Sequence, residues 1–235
     1  MRVQAEAAAH WDAVYALGDD TRSWFENHPV MSLRLLDAAG VSAADALIDV
    51  GGGASPLTGA LLDLGFRDLT VLDVSAAGMQ YARDRLGPRA DRVRWLTADV
   101  LTWHPPRRYR AWHDRAVFHF LITEESRQRY LHTLDSATTS GAIAVFGCFA
   151  ADGPQHCSGL PVARYNPAQL ASQIGTKWLL IKQDREEHVT PAGTIQPFTW
   201  IALRRQYCLA QTRTDGAPSP AGDGARRRAG QQVSW

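Results

Sequence analysis

The sequence predicts an α/β fold: a doubly wound sheet, mostly parallel with a terminal antiparallel strand pair, and helices on both faces. Three observations predict it. Short apolar runs alternate with segments of helical periodicity through the first two thirds of the chain, the order that builds βαβ units. Several of those runs are apolar almost throughout, as strands buried on both faces are. Near the end, two apolar runs follow one another after the last helical segment, which a plain dinucleotide-binding domain does not show.

Residues 10–26 hold Trp11, Tyr15, Trp24 and Phe25 and read as a short N-terminal helical segment. After Pro29 comes a helix with Val30, Leu33, Leu36 and Ala39 at helical spacing, stopped by Gly40. Ala46 to Val50 is the first strand, an apolar run interrupted by Asp49 and ended by three glycines. Ser55 and Pro56 suit the opening of a helix that reaches about Leu64. Leu69 to Val74 is the second strand, and Ser75 to Leu86 the helix after it. Val93 to Leu96 is the third strand, ending at Ala98-Asp99-Val100, and Tyr109 to about Ala116 the fourth. Glu124 to Ala137 is an amphipathic helix with Tyr130, Leu131 and Leu134 inward, followed by a fifth strand from Gly141 to Phe149. Trp178–Gln183 and Phe198–Leu203 form the terminal pair. Their connection is long for a hairpin and is expected to carry function.

At 235 residues, 45% of them hydrophobic and 21% charged, the chain suits one globular domain. Residues 1–40 are expected to cap it and 41–210 to form its body. Residues 211–235, rich in Gly, Pro, Ala and Arg, read as a disordered tail. A formal net charge of +1 supplies no overall basic field, so neither nucleic acid nor a membrane surface is an expected partner. The Arg107-Arg108-Tyr109-Arg110 patch reads as a solvated loop. Cys148, Cys157 and Cys208 show no CxxC spacing, so neither a disulfide framework nor a metal site is expected. The N-terminus has no signal-peptide stretch and no run approaches the ~18 apolar residues of a membrane span. A cytoplasmic location is the expectation.

The central motif is Asp49-Val50-Gly51-Gly52-Gly53-Ala54-Ser55, between the first strand and its helix. Glycines permit a sharp turn and close approach to a ligand, which in such sheets lies beyond the carboxyl ends of the strands. Asp73 ends the second strand, where a carboxylate can accept from both ribose hydroxyls of an adenosine. Asp99 follows the third, where an acceptor can meet the adenine amino group. Pro56 stands where the dinucleotide fingerprint requires its third glycine, and no Gly-Lys-Ser/Thr occurs, which disfavours pyrophosphate ligands and an NAD-dependent oxidoreductase.

As a set, these motifs resemble the nucleotide-binding motifs of class I S-adenosylmethionine (SAM)-dependent methyltransferases, over about residues 45–150. The resemblance implies a Rossmann-like fold, SAM as cofactor and S-adenosylhomocysteine as product. It places Gly51 and Gly53 against the methionine portion, with Asp49 orienting the loop or the ammonium. It puts Asp73 on the ribose and Asp99 on the adenine, and Ser55 where many members carry a third glycine. Gly52, Val74, Val100, Asp114 and Trp24 complete the expected cofactor shell. A narrower likeness runs through Trp11-Asp12, Ser23-Trp24-Phe25, the glycine turn and Asp114-Arg115. It is to methyltransferase-like proteins that methylate lysines of citrate synthase and of an elongation factor. Those read Asp-Lys-Gly where this chain has Asp114-Arg115-Ala116.

Methyl transfer needs alignment more than acid chemistry, and a base only when the acceptor must lose a proton. His113 and His119, just past the fourth strand, are candidate bases, with Asp114 orienting one of them or binding a cationic substrate. Each histidine is equally readable as a core residue, and Asp114–Arg115 as a structural ion pair. Tyr15, Phe118, His188 and Gln196 are candidate acceptor-side residues, the last two on an expected lid between the terminal strands. Trp11, Tyr15, Trp24 and Phe25 suit either closure over SAM or plain packing. A small-molecule acceptor is expected, a protein lysine is the alternative, and a catalytically silent SAM-binding module is a third reading.

Overall fold

The computed structural model describes residues 2–18 and 22–207; the expected tail at 211–235 and Cys208 lie outside them. β1 (Leu47–Val50), β2 (Leu69–Asp73), β3 (Val93–Thr97), β4 (Tyr109–Arg115) and β5 (Thr138–Phe149) are the parallel strands. A two-residue-per-arm hairpin, β6 (His156–Cys157) and β7 (Leu160–Pro161), follows, and β8 (Trp178–Val189) and β9 (Ile195–Arg205) close the fold. The seven-stranded sheet has the order β3-β2-β1-β4-β5-β9-β8. β9 is inserted between β5 and β8 and runs antiparallel to both. Strand order reverses between β1 and β4, so a crevice opens at their carboxyl ends.

Alternation along the strands divides the core. Leu47, Leu69, Val71, Ala111 and Val145 face α2 (Val30–Ala38), α3 (Leu57–Asp63) and α4 (Ala76–Leu86), which follow α1 (Arg2–Ala16) in the chain. Ile48, Val50, Leu72, Trp112, Ala144 and Phe146 face α5 (Glu124–Ala137) and α6 (Pro167–Ile174). Capping is local and explicit. Thr123 accepts from Ser126 N at the head of α5, and Asn166 and Gln169 form a reciprocal capping box on α6.

The structure corrects four expectations. The first helix spans Arg2–Ala16 instead of 10–26, and Gly18, at φ 92°, follows its end. Trp24 and Phe25 therefore lie in the non-helical stretch before α2. The inward face of α2 is Met31, Ser32, Leu35 and Leu36, with Val30 exposed, because the Ser32 hydroxyl has a buried partner in His113. β8 and β9 extend to residues 189 and 195, so no long lid separates them. β8 is an edge strand whose outer half is polar, a pattern that hides a strand from an apolar scan. The arginine patch is tied down: Arg107 grips Asp68 with contacts of 2.8 and 2.5 Å, and Arg110 donates to the carbonyl of Gly141. No helix among the described residues is long and apolar enough to cross a membrane.

α1 lies across the crevice and is fastened through Asp12. Its Oδ1 accepts from Ser75 Oγ at 2.5 Å and from Ala77 N at 3.3 Å, while Ser75 Oγ itself accepts from Gly78 N at 2.9 Å. One serine thus caps α4 and anchors α1. Ser75→Ala is expected to lower the unfolding free energy by about 1–2 kcal/mol. Urea unfolding with an unchanged m-value would show this; a loss within error would remove the anchoring role.

Candidate active site

β1 ends at Val50; Gly51, at φ 67°, follows it and the chain turns under α1. A Cβ at Gly51 would overlap the Val117 side chain, and a Cβ at Gly53 or Gly78 would overlap the Tyr15 ring. The glycines thus admit protein as well as ligand: Tyr15 of α1 sits directly on the turn. Arg85 on α4 holds the next carbonyls, donating to Ala54 O at 2.8 Å and Ser55 O at 2.6 Å. Ser55 Oγ in turn accepts from Leu57 N at 3.1 Å.

A cavity of about 300 Å³ opens beside this turn, within the range of small-molecule sites. Toward β2 and β3 it is lined by Leu72, Asp73, Val74, Ala98, Asp99 and Val100. Toward β4 and the β6–β7 hairpin it is lined by Arg115, Val117, Phe120, Leu121, Cys157 and Leu160, with Trp11, Tyr15 and Trp24 across the top. Asp99 Oδ1 accepts from Leu101 N at 2.9 Å, which fixes the loop after β3. Asp73 is buried, and its Oδ1 accepts from Ser75 N at 2.8 Å. Burial pushes its carboxyl up to about 7, against the pull of the Ser75, Gly53 and Val74 amides. Incoming hydroxyl donors would relieve that cost.

Of the expected cofactor residues, Asp73, Val74, Asp99, Val100, Gly51 and Trp24 line this cavity, as does Tyr15 from the acceptor set. Gly53 lies beneath Tyr15, and Asp49, Gly52 and Ser55 line a smaller adjoining void with Glu26 and Arg115. Of the others, His113 borders the same smaller void and the rest lie elsewhere; side-chain alternation along β4 separates His113 from Asp114. His113 points to the α2 face, with Nδ1 2.7 Å from Asp49 Oδ1 and Nε2 2.9 Å from Ser32 Oγ. Both ring nitrogens are engaged, while Asp49 Oδ2 has no hydrogen-bond partner.

Asp114 points to the opposite face. It accepts from the amides of Val117 and Phe118 at 2.9 and 3.2 Å and from the Tyr130 hydroxyl, which also receives Trp112 Nε1 at 2.9 Å. Burial pushes its carboxyl up to about 6, opposed by Tyr130 and those amides. The Asp114–Arg115 ion pair does not form, because neighbours on a strand face opposite ways. Arg115 meets Glu26 instead, at 3.6 Å.

His119 is fully buried against Phe120 and Phe149 and accepts weakly from Phe149 N at 3.5 Å. Burial drives its imidazole down to about 3, so it stays neutral. Phe118 is a core ring against Tyr130 and Phe146. His188 and Gln196 are paired across β8 and β9, with His188 Nε2 2.8 Å from Ser23 O. Neither lines the cavity.

Arg22, Glu26 and Leu160 join the site without belonging to any sequence motif. Arg22 stacks its guanidinium on Tyr15, Trp24 and Tyr81 at 5.0–5.5 Å, a cation–π cluster over the crevice. Its only signal is a cation amid spaced aromatics. Ala116, just past β4, holds φ 67°, a strained value for a residue with a Cβ.

No family model and no curated protein matches the chain. Solved structures do. One, described as converting a disulfide bond into a thioacetal group during echinomycin biosynthesis, superposes with a TM-score of 0.68 at 19% identity, covering 86% of this chain and 93% of that one. The 1,6-didemethyltoxoflavin N1-methyltransferase of Burkholderia thailandensis gives 0.64 at 18% identity, over 86% and 90%. The N-methyltransferase NodS of Bradyrhizobium japonicum, solved with S-adenosylhomocysteine, gives 0.59 at 16%, over 77% and 89%. The fold is that of the class I SAM-dependent methyltransferases.

Asp73 is protonated more readily folded than unfolded, so it contributes stability at low pH that is lost as pH rises toward 7. His119 acts with the opposite sign, so the informative quantity is a difference between proteins. Relative to wild type, Asp73→Asn is expected to gain stability between about pH 4 and pH 7 and to gain no more above that. Denaturant melts across that window would reveal it; a pH-independent difference would contradict a buried, raised carboxyl.

Proposed function

We propose that this chain is an active SAM-dependent methyltransferase whose acceptor is a small molecule. The observation that carries this reading is the single cavity shared by the ends of β2, β3 and β4, with Asp73 and Asp99 at successive strand ends and α1 across the top. The residues fit the cofactor. Asp73 offers a buried acceptor to ribose hydroxyls, Asp99 an acceptor to the adenine amino group, and Val74 and Val100 apolar contact with the ring. Asp49 Oδ2, buried without a partner, suits the ammonium of the methionine portion. When bound, SAM supplies an electrophilic methyl group on a sulfonium.

This chain's residues then serve mainly to align and to exclude water. Trp11, Tyr15, Trp24, Phe120 and Leu121 enclose the reacting space in apolar surface, and alignment of this kind is worth roughly 7–11 kcal/mol of the barrier. The two histidines expected as bases have other work: His113 joins Asp49 to Ser32, and His119 is held neutral in the core. The proposed chemistry uses no protein base.

A protein lysine acceptor has one observation in its favour, an open groove bearing Glu26, Glu186 and Glu187. Two of those carboxylates are already engaged, Glu186 with Trp200 Nε1 at 2.7 Å and Glu187 with Arg185 at 2.7 Å. The small-molecule reading is therefore preferred. It also fits the solved neighbours, among them a 1,6-didemethyltoxoflavin N1-methyltransferase.

Calorimetric titration is expected to give micromolar binding of SAM and of S-adenosylhomocysteine and none of NADH. Asp73→Ala should weaken both by about tenfold or more, the worth of roughly one charged hydrogen-bonding group. Folded protein that binds neither compound would overturn the proposal, and tight NADH binding would redirect it to an oxidoreductase.

A further inference from the structure

Arg115 ends β4 and lines both the main cavity and the void beside the glycine turn. Its Nη1 donates to Trp24 O at 2.8 Å, and its guanidinium lies 5.1 Å from the centre of the Phe198 ring. Its Nε and Nη2 are buried with no hydrogen-bond partner, and Glu26 Oε1 stands 3.6 Å from Nε, beyond hydrogen-bond reach. Buried donors left unmet are costly and mark a place where a partner is missing. The surrounding wall is apolar: Trp11, Trp24, Val117, Phe120 and Leu160.

The same end of the cavity lacks a proton acceptor. His119 is sequestered, His113 and Asp114 are committed elsewhere, and burial pushes the Cys157 thiol up to about 11. An acceptor methylated in this cavity must arrive with its nucleophile already unprotonated. Resting on the proposed methyltransferase reading, we infer that Arg115 is the acceptor-recognition residue, and that the acceptor is a flat, largely apolar molecule whose nucleophile is an anion. Acidic thiols, acidic phenols and acidic ring N–H groups share that chemistry: each loses its proton to water near neutral pH.

The transfer then balances without a protein base. A lone pair of the anion forms the new bond to the methyl carbon. The carbon–sulfur bond of the sulfonium breaks, and its electron pair stays on sulfur. Besides Glu26, the titratable groups around Arg115 are Asp49 and His113, which line the same smaller void, and His119, His188 and Cys157, which feel its charge. Of these the two carboxylates oppose the guanidinium: Glu26 stands on the Nε side, and Asp49 is tied to His113 at 2.7 Å.

The test uses the full chain saturated with S-adenosylhomocysteine and para-nitrophenol, whose anion is coloured, as probe. Absorbance from about pH 5 to pH 9 reports the ionisation of the bound probe. Wild type and Arg115→Lys are expected to lower the pKa of the bound probe by about 1 unit or more. Arg115→Met and Arg115→Gln should abolish that shift while leaving S-adenosylhomocysteine affinity within about threefold. Gln keeps a donor for Trp24 O, so it decides the matter should Met fail to fold.

An equal shift in wild type and both neutral variants, or no saturable binding of the probe, overturns the inference. Loss of S-adenosylhomocysteine binding in the neutral variants does too, since it places the guanidinium on the cofactor's carboxylate. Wild type that binds no S-adenosylhomocysteine defeats the proposed function itself, and this inference with it.

Discussion

Three missing Cβ atoms set the geometry on which the rest of the site depends. Val117 occupies the space above Gly51, and the Tyr15 ring occupies the space above Gly53 and Gly78. The turn after β1, the turn after β4 and the N-terminal helix are thereby packed into one unit. Asp12 adds a polar fastening from α1 to the head of α4. A cavity bounded by that unit has walls from α1, Trp24, the carboxyl ends of β1 to β4 and the β6–β7 hairpin, parts distant in sequence. Any side chain at Gly53 would displace Tyr15 and with it the roof.

The second organising fact is alternation along β4. Three adjacent residues, each able to do chemistry, are sent to three different tasks. His113 faces the α2 side and bridges Asp49 to Ser32, Asp114 faces α5 and receives Tyr130 and two amides, and Arg115 returns to the α2 side at the cavity mouth. The first two are close to saturated with hydrogen bonds, as buried polar groups ordinarily are. Arg115 is not, and its unmet donors lie beside the cavity. Chemistry that proceeds by alignment leaves room for such an arrangement, since the barrier falls through position and exclusion of water more than through proton transfer.

Much of the architecture is legible because the strands carry their own signals. β1 and β2 are short, largely apolar and punctuated by glycine or acid, β5 is a long apolar run, and α5 shows its inward face at helical spacing. Legibility fails where burial and polarity part company. Ser32 is polar and buried, so apolar spacing misplaces the inward face of α2. The outer half of β8 is charged yet strand, because an edge strand exposes one side to water. The N-terminal helix starts earlier than its aromatics suggest, because those on both sides of Gly18 look like one periodic segment.

By itself the sequence determined the sheet class, the glycine turn and the acids at the ends of β2 and β3, since each is a local pattern of residue types within a few positions. It also marked Trp11, Tyr15 and Trp24 as a set. Only the tertiary structure decided which polar residues meet the cavity. Whether His113, Asp114 or Arg115 faces the cavity depends on strand register and on what α2 and α5 present opposite it. Those partners, Ser32, Tyr130 and Glu26, lie from 16 to 89 positions away. Polar pairing at that separation leaves no periodic trace in a single sequence, whereas apolar burial in a strand does.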